Sequence, residues 1–141
     1  MNVDILKFMQ DNIYLVLIAL LSGGMLIWPL LQRGGRGPMV NTLEATQLIN
    51  HKDALVVDIR EPGEFAKGHI LNARNVPLAQ IDVQAAGLIK NKQKSLIVYC
   101  DMGRQAGSVT AKLRSLGYEN SVSLSGGLAA WRQAGLPVTT S

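Results

Sequence analysis

Apolar residues follow two different patterns along the chain, and the change between them divides it into parts. Residues 13–31 form one uninterrupted apolar run without a charged side chain. At a rise of about 1.5 Å per residue, a helix of this length crosses the roughly 30 Å hydrocarbon core of a bilayer. The pattern predicts four parts: a short N-terminal segment (1–12), a transmembrane helix (13–31), a linker (32–38) and a folded domain (39–141).

The apolar run has two other interpretations, a cleaved signal peptide and a buried core helix. A signal peptide would have a basic segment before a shorter apolar core, whereas Asp4 and Asp11 flank Lys7 here. A core helix suits so long a run at a terminus poorly, so we favour an uncleaved, single-pass anchor. Because Arg33 and Arg36 follow the run, the positive-inside rule predicts a cytoplasmic C-terminal domain at the inner (cytoplasmic) membrane.

Beyond the linker, short apolar runs alternate with helix-like segments. The apolar runs predict buried strands at 54–59, 96–99 and 121–124, with a shorter strand within 68–77. The other segments predict helices at 42–50 (capped by Asn41), within 78–91, at 106–116 and at 126–134, and a turn at 60–65. This alternation is typical of an α/β domain with a mainly parallel sheet flanked by helices on both faces. Ligands of such sheets bind beyond the carboxyl ends of the strands.

The amino-acid composition limits the kinds of functional site that the chain can contain. The chain has one cysteine, Cys100, and two histidines, which predicts no metal site and excludes an internal disulfide. The net charge of +4 is not concentrated in a basic run with interleaved aromatics, so no nucleic-acid partner is expected. A single reduced cysteine suits a domain on the cytoplasmic side.

Cys100 lies between the predicted strand 96–99 and the predicted helix 106–116. At that position the N–H groups of the loop and of the helix N-terminus favour a negative charge on sulfur, and the thiolate is the reactive form of cysteine. The alternative is an inert core cysteine, because free cysteine is among the most buried residue types. This stretch by itself leaves both interpretations open.

Four motifs, in this order and spacing, carry a family resemblance. They are VDIREPGEF with GHI at residues 57–70, ARNVP at 73–77, VYC with its loop at 98–100, and SGGLAAW at 125–131. Together they resemble the rhodanese-like domain over roughly residues 39–141. The resemblance implies a sulfurtransferase that needs no cofactor. In that family a cysteine accepts a sulfane sulfur from a donor such as thiosulfate, and the resulting persulfide passes it to a thiophilic acceptor such as cyanide or a thiol.

Carried over residue by residue, the resemblance makes Cys100 the nucleophile and sulfur carrier. The substrate-binding residues are then those of the loop that follows: Asp101, Met102, Gly103, Arg104 and Gln105. Backbone N–H groups of such a loop form a cradle for an anion, and Gly103 supplies the backbone freedom of a tight turn.

The loop departs from the family pattern at one position. Many active members have arginine at the fifth residue after the cysteine, where this chain has Gln105, and its arginine is Arg104, one place earlier. Asp101 adds a negative charge that opposes thiolate formation. We therefore expect an unusual donor preference or weak activity with thiosulfate.

Asp58 and Arg60 are predicted to support the site by hydrogen-bonding its loops, because buried charges need partners. A phosphatase is a poor alternative, since that chemistry needs an arginine six residues after the cysteine, where this chain has Ala106. The remaining alternative is a weakly catalytic or non-catalytic module that binds a membrane-protein partner. The expected partners are otherwise a small sulfur donor, a small sulfur acceptor and the membrane.

Overall fold

A computed structural model describes residues 4–33 and 35–140 of the chain, and only the backbone of residues 32, 33 and 88. The chain divides into two compact units, residues 1–34 and 35–141. The helices are α1 Ile5–Asp11, α2 Ile13–Arg33, α3 Thr42–Lys52, α4 Pro62–Lys67, α5 Ile81–Leu88, α6 Ala106–Ser115 and α7 Gly127–Gln133. The strands are β1 Met39–Val40, β2 Leu55–Asp58, β3 His69–Ile70, β4 Arg74–Asn75, β5 Leu96–Tyr99, β6 Ser121–Leu124 and β7 Val138–Thr139. A 3-10 turn, Leu78–Gln80, precedes α5.

The N-terminal unit consists of α1 and α2. Asp4 caps α1 by accepting a hydrogen bond from the Lys7 N–H at 3.4 Å. Within α2, the stretch Ile13–Leu31 has a mean hydropathy of 2.2, and none of it is buried. Helix α2 is therefore long and apolar enough to cross a membrane, and it includes the whole predicted span.

The C-terminal unit is built on a five-stranded sheet in the order β1-β6-β5-β2-β4, in which every pair is parallel. The mainly parallel sheet predicted from the sequence is confirmed. The central strands β2 and β5 pair in register from Leu55↔Leu96 to Asp58↔Tyr99, so both end at the same edge of the sheet. A separate antiparallel pair joins β3, which lies in the predicted short-strand stretch 68–77, to β7, for which no strand was predicted.

The sheet is covered on both faces because its central strands alternate between two apolar clusters. Val57 and Val98 pack into one cluster, with residues of α5 and α6. Val56 and Ile97 pack into the other, with residues of α3 and α7. Burial of a side chain of this size contributes roughly 1.5–3 kcal/mol, so the continuous apolar runs are what fix the central strands.

Local sequence signals predicted some helix ends correctly and others incorrectly. Asn41 caps α3 as predicted, since its Oδ1 accepts a hydrogen bond from the Glu44 N–H at 2.8 Å. The predicted turn at 60–65 is wrong, because Pro62 opens the short helix α4. Proline suits the first helical position, where its fixed φ is already helical and its missing N–H is not needed. The predicted helix within 78–91 continues through Gly87 and ends at Leu88.

Candidate active site

Cys100 lies at the carboxyl end of β5, where a five-residue loop leads into α6. The residue is 5% exposed and belongs to the apolar cluster on the α5–α6 face. The Gly103 N–H donates a hydrogen bond to Cys100 Sγ at 3.1 Å. That bond requires the chain to double back, and Gly103 does so with a φ of 83°. The sulfur thus sits in a tight turn whose backbone dipole stabilises negative charge on it.

Helix α7 holds the base of this loop from the opposite side. The Leu128 N–H donates to the Cys100 carbonyl oxygen at 2.9 Å, and the Ala129 N–H donates to the Asp101 carbonyl oxygen at 3.0 Å. These bonds direct the two carbonyl groups toward α7, because each oxygen must face its donor. Gly126 and Gly127 both have positive φ, 75° and 58°, which lets the start of α7 approach the loop closely.

A buried ion pair joins the end of β2 to the same loop. Arg60 Nη2 lies 2.7 Å from Asp58 Oδ2, and Arg60 Nε lies 3.0 Å from Asp58 Oδ1. Arg60 also donates from Nη2 to the Gly68 carbonyl oxygen at 2.6 Å and from Nη1 to Asp101 Oδ1 at 3.3 Å. Although burial disfavours the charged guanidinium, Asp58 outweighs that effect and raises the pKa of Arg60. Arg60 therefore stays charged and ties three chain segments together.

Tyr99, next to the cysteine, extends this network into the other face of the sheet. Its hydroxyl oxygen accepts a hydrogen bond from the Ile70 N–H at 3.1 Å. Burial, reinforced by a hydrogen bond to Asp58, raises the pKa of the Tyr99 phenol. The neutral hydroxyl thus links β5 to β3.

A cavity of about 520 Å³ opens over the sulfur. The residues that line it come from the ends of β2 and β5 and from the segments that follow them: Ile59, Arg60, Glu61, Glu64, Leu78, Cys100, Asp101, Met102, Arg104 and Gln105. The cavity lies at the carboxyl edge of the parallel sheet, where the sequence predicted a ligand site. Its walls combine apolar groups with charges of both signs.

The structure brings most of the predicted site residues to this cavity. Cys100, Asp101, Met102, Arg104 and Gln105 line it. Gly103 provides the described hydrogen bond to the sulfur; none of the bonds described for the other four loop residues ends there. The cradle predicted for the N–H groups of this loop concerns a persulfide or a donor anion, and it stays a prediction.

Of the two predicted supporting residues, Arg60 lines the cavity and Asp58 does not. Asp58 lies beneath the site, fully buried, and reaches the cavity through Arg60. The Asp101 carboxylate faces Arg60, so its charge is partly offset where the sequence alone suggested that it would act on the thiol.

Several residues of the site were not found by sequence reasoning. Glu61 and Glu64 line the cavity, whereas the sequence predicts only a turn at their positions. The sequence feature that could have identified both residues is their position just after a strand that ends at the edge of the sheet where ligands bind. Leu78 has no such signal, because only the tertiary fold brings the 3-10 turn over the cysteine.

The structure is that of a mainly parallel α/β domain whose one cysteine lies in a tight turn at the edge of the sheet where ligands bind. These features define a class of domain with a candidate nucleophilic cysteine. The model of the rhodanese-like domain family matches residues 41–134. The chain belongs to this family.

Relatives and a solved structure agree with that assignment. An uncharacterized protein of Synechocystis sp. is 39% identical over 92 residues, which cover 64% of this chain and 50% of that one, so the chain spans half of this relative's length. A sulfurtransferase of Allochromatium vinosum is 33% identical over 104 residues, covering 71% and 95%. A thiosulfate sulfurtransferase of Coxiella burnetii is 30% identical over 93 residues, covering 66% and 85%.

The fold of the C-terminal unit is also found in a crystal structure. A rhodanese-related protein from Thermoplasma volcanium matches with a TM-score of 0.67 and 28% identity, covering 74% of this chain and all of that one. Family, relatives and fold together support a function of the sulfurtransferase type.

Proposed function

We propose that this protein is a membrane-anchored sulfurtransferase that carries sulfane sulfur as a persulfide on Cys100. One observation carries the proposal: the thiol lies in a cavity at the ligand edge of the sheet, and the Gly103 N–H donates to its sulfur at 3.1 Å. A cysteine retained only for packing needs neither the cavity nor the turn. The names of the Allochromatium and Coxiella relatives support the same chemistry.

The reaction follows from a thiolate held in such a turn. With thiosulfate as donor, the Cys100 thiolate attacks the outer sulfur, the S–S bond of thiosulfate breaks, and sulfite leaves with the bonding electron pair. Cys100 then carries one extra sulfur, and the backbone N–H groups of the loop stabilise the negative charge of this outer sulfur. An acceptor such as cyanide attacks that sulfur, leaves as thiocyanate and restores the thiolate.

Helix α2 supports the anchoring part of the proposal. Its apolar stretch, Ile13–Leu31, has the length and hydropathy of a membrane span. Tyr14 and Trp28 lie near its two ends, where amphipathic rings favour the bilayer interface. The arginines that follow the stretch favour a cytoplasmic location for Cys100.

Mass spectrometry of the full chain in detergent tests the catalytic part. We expect incubation with thiosulfate to add the mass of one sulfur atom, cyanide to remove it, and Cys100→Ser to abolish it. If neither thiosulfate nor any organic persulfide adds sulfur, the proposal fails, and a module that binds a membrane protein becomes the better interpretation.

The only cysteine also reports the location of the domain. In intact cells, a membrane-impermeant maleimide should label Cys100 only after the membrane is permeabilised. Labelling before permeabilisation would place the domain on the outer side and contradict the proposed orientation. Recovery of the full chain from the membrane fraction after carbonate washing, and of a chain lacking residues 1–31 from the soluble fraction, would support the anchor.

A further inference from the structure

Helix α1 has an apolar face that the described part of the chain leaves uncovered. Four of its seven side chains are large and apolar, and all four are exposed: Ile5 (69%), Leu6 (75%), Phe8 (58%) and Met9 (41%). No residue of α1 is buried. Single exposed apolar side chains are common, but four within seven residues form a continuous patch. Covering such a patch is favourable, so we expect a partner for it.

The apolar and polar residues of α1 occupy opposite sides of the helix. At about 100° per residue, the four apolar residues fall within an arc of about 160°. The polar residues Lys7, Gln10 and Asp11 fall within an arc of about 100° on the other side, and all three are exposed. Helix α1 is therefore amphipathic, which is typical of a helix at the boundary between an apolar and an aqueous phase.

The position of α1 in the chain indicates which boundary this is. Only Asn12 separates α1 from the apolar stretch Ile13–Leu31, whose 19 residues rise about 28 Å as a helix. This rise nearly fills a hydrocarbon core of about 30 Å, and the headgroup regions add about 5–8 Å on each side. In a chain anchored by this stretch, α1 is therefore held at the headgroup region of the bilayer.

Hydrogen bonds of its own define both ends of α1. Asp4 caps its start, and at its end the Asn12 side chain donates from Nδ2 to the Phe8 carbonyl oxygen at 2.9 Å. Asn12 has φ −121° and ψ 35°, outside the helical region, so α1 is an element separate from α2. A seven-residue helix is marginal in water by itself, so an apolar phase along its exposed face would stabilise it.

We propose that α1 lies in the interface of the membrane that α2 crosses, with its apolar face against the acyl chains and its polar face toward water. This inference rests on the anchoring part of the proposed function and adds a second contact with the bilayer. The apolar side chains resist transfer into water, whereas Lys7 and Asp11 resist transfer into the hydrocarbon core. Helix α1 therefore fixes the depth of α2 in the membrane.

The charges of this segment indicate which property of the membrane it recognises. With the capping residue included, it carries two carboxylates, Asp4 and Asp11, and one ammonium group, Lys7. Anionic lipids attract basic amphipathic helices, but these side chains have no excess of positive charge. The apolar area therefore provides the contact, and a neutral phosphatidylcholine surface suffices.

Spin labels on the full chain in phosphatidylcholine vesicles test this orientation. In a Cys100→Ser background, a single cysteine replaces each of residues 7–10 in turn and carries a nitroxide. Collisions of the nitroxide with oxygen, which is enriched in lipid, and with a nickel chelate, which stays in water, report its depth. A label at Leu20→Cys, in the middle of the span, is the reference for lipid.

The collision ratio of oxygen to nickel should alternate between the two faces. Labels at Phe8→Cys and Met9→Cys should exceed those at Lys7→Cys and Gln10→Cys at least about 3-fold, because the apolar face of an interfacial helix lies about 5–10 Å into the boundary. The Leu20→Cys label should give the highest ratio. Addition of phosphatidylglycerol should leave the ratios unchanged, since charge does not provide the contact.

Two further substitutions test the apolar face without moving the label. With the nitroxide at Met9→Cys, Phe8→Glu places a charge on the apolar face and should lower the collision ratio at least about 2-fold. Gln10→Glu is the matched control, because it adds the same charge on the polar face and should leave the ratio unchanged.

The outcomes separate this inference from the proposed function. Lipid-like ratios at positions 8 and 9 with water-like ratios at 7 and 10 support the interfacial helix. Water-like ratios at all four positions, or lipid-like ratios at all four, overturn it, and a lipid-like Leu20→Cys label then leaves the anchor intact. A water-like Leu20→Cys label overturns both the interfacial helix and the anchor. Alternation that requires phosphatidylglycerol overturns the assignment of an apolar contact.

Discussion

Gly127 lies so close to the backbone of Cys100 that no other residue fits at this position. A Cβ atom there would overlap the Cys100 carbonyl oxygen and would lie 2.8 Å from the Asp101 carbonyl carbon. Gly127 also has a φ of 58°, which L side chains rarely adopt. The loop that carries the thiol thus packs directly against the start of α7. Its conformation depends on a glycine 27 positions away in the sequence.

Replacement of Gly127 by alanine should therefore deform the site as well as weaken the fold. The added methyl group pushes the loop away from α7 and breaks the Leu128 N–H bond to the Cys100 carbonyl oxygen, so Gly103 loses its position under the sulfur. We expect sulfur loading of Cys100 to fall at least about 10-fold and stability to fall by about 1–3 kcal/mol.

Gly87→Ala is the matched control for this substitution. Gly87 lies inside α5, and a Cβ atom there meets nothing within 4 Å. Alanine is the better helix former, so this variant should gain about 0.5–1 kcal/mol and load sulfur normally. Equal loading rates in Gly127→Ala and Gly87→Ala would show that α7 does not shape the loop.

Removal of the Arg60 side chain should be among the most destabilising changes in the domain. Arg60→Ala leaves the fully buried Asp58 carboxylate without its ion-pair partner and leaves the Gly68 carbonyl oxygen without its donor. Loss of one partner of a buried pair costs about 3–5 kcal/mol. Urea unfolding of the full chain in detergent, followed by tryptophan fluorescence, measures the loss.

Lys112→Ala provides the comparison for an exposed pair. Lys112 and Asp82 form an ion pair of 2.6 Å, but both side chains are about half exposed. Such a pair contributes at most about 1 kcal/mol. If Arg60→Ala costs no more than Lys112→Ala, the network around Asp58 does not hold the domain together.

The raised pKa of Tyr99 predicts a loss of stability in alkali. Burial holds the phenol neutral in the folded state, whereas an unfolded tyrosine ionises near its ordinary value of 10.0. The unfolded state then binds fewer protons than the folded state, so the contribution is fully present below pH 10 and is lost as the pH rises above it. The expected slope is about 1.4 kcal/mol per pH unit for this one group.

Tyr99→Phe isolates that slope from the titration of other groups. The variant should be about 1–3 kcal/mol less stable at neutral pH, because the Ile70 N–H loses its acceptor. Above pH 10 the difference from wild type should shrink, as measured by urea unfolding at a series of pH values. Parallel profiles for wild type and Tyr99→Phe would contradict the assignment.

The central architecture could be predicted because its signals are local. The runs around Val57 and Val98 are apolar at every position, which identifies strands covered on both faces. Alternation of strands with helices then implies parallel pairing, and parallel pairing puts Cys100 at the ligand edge. The short strand predicted within 68–77 falls on β3 and β4, but β1 and β7 were not predicted, since strands of two residues are defined by their partners and not by their own pattern.

The chemistry of the site was predicted less completely, because side-chain direction depends on contacts between distant segments. Sequence reasoning found Asp101 beside the thiol but not that its carboxylate faces Arg60, which lies 41 positions earlier. It identified the SGGLAAW motif but not that Gly127 carries the close contact with the loop. Pro62 starts a helix, but the sequence was interpreted as a turn there. The position of Glu61 at the cavity was therefore not predicted.

Gln105 occupies the position where many family members have arginine, and restoring that arginine should change the donor preference. In the structure Gln105 is exposed and lines the cavity, so a longer cationic side chain has room there. Two arginines and three carboxylates line the cavity, so Gln105→Arg cancels its net negative charge. The variant should raise the rate of loading from thiosulfate by about 3- to 10-fold, with a gain that shrinks as salt screens the added charge. Gln133→Arg makes the same change on the exposed end of α7, outside the cavity, and should have no such effect. Equal rates for Gln105→Arg and Gln133→Arg would mean that a charge at position 105 does not govern access of the dianion to Cys100.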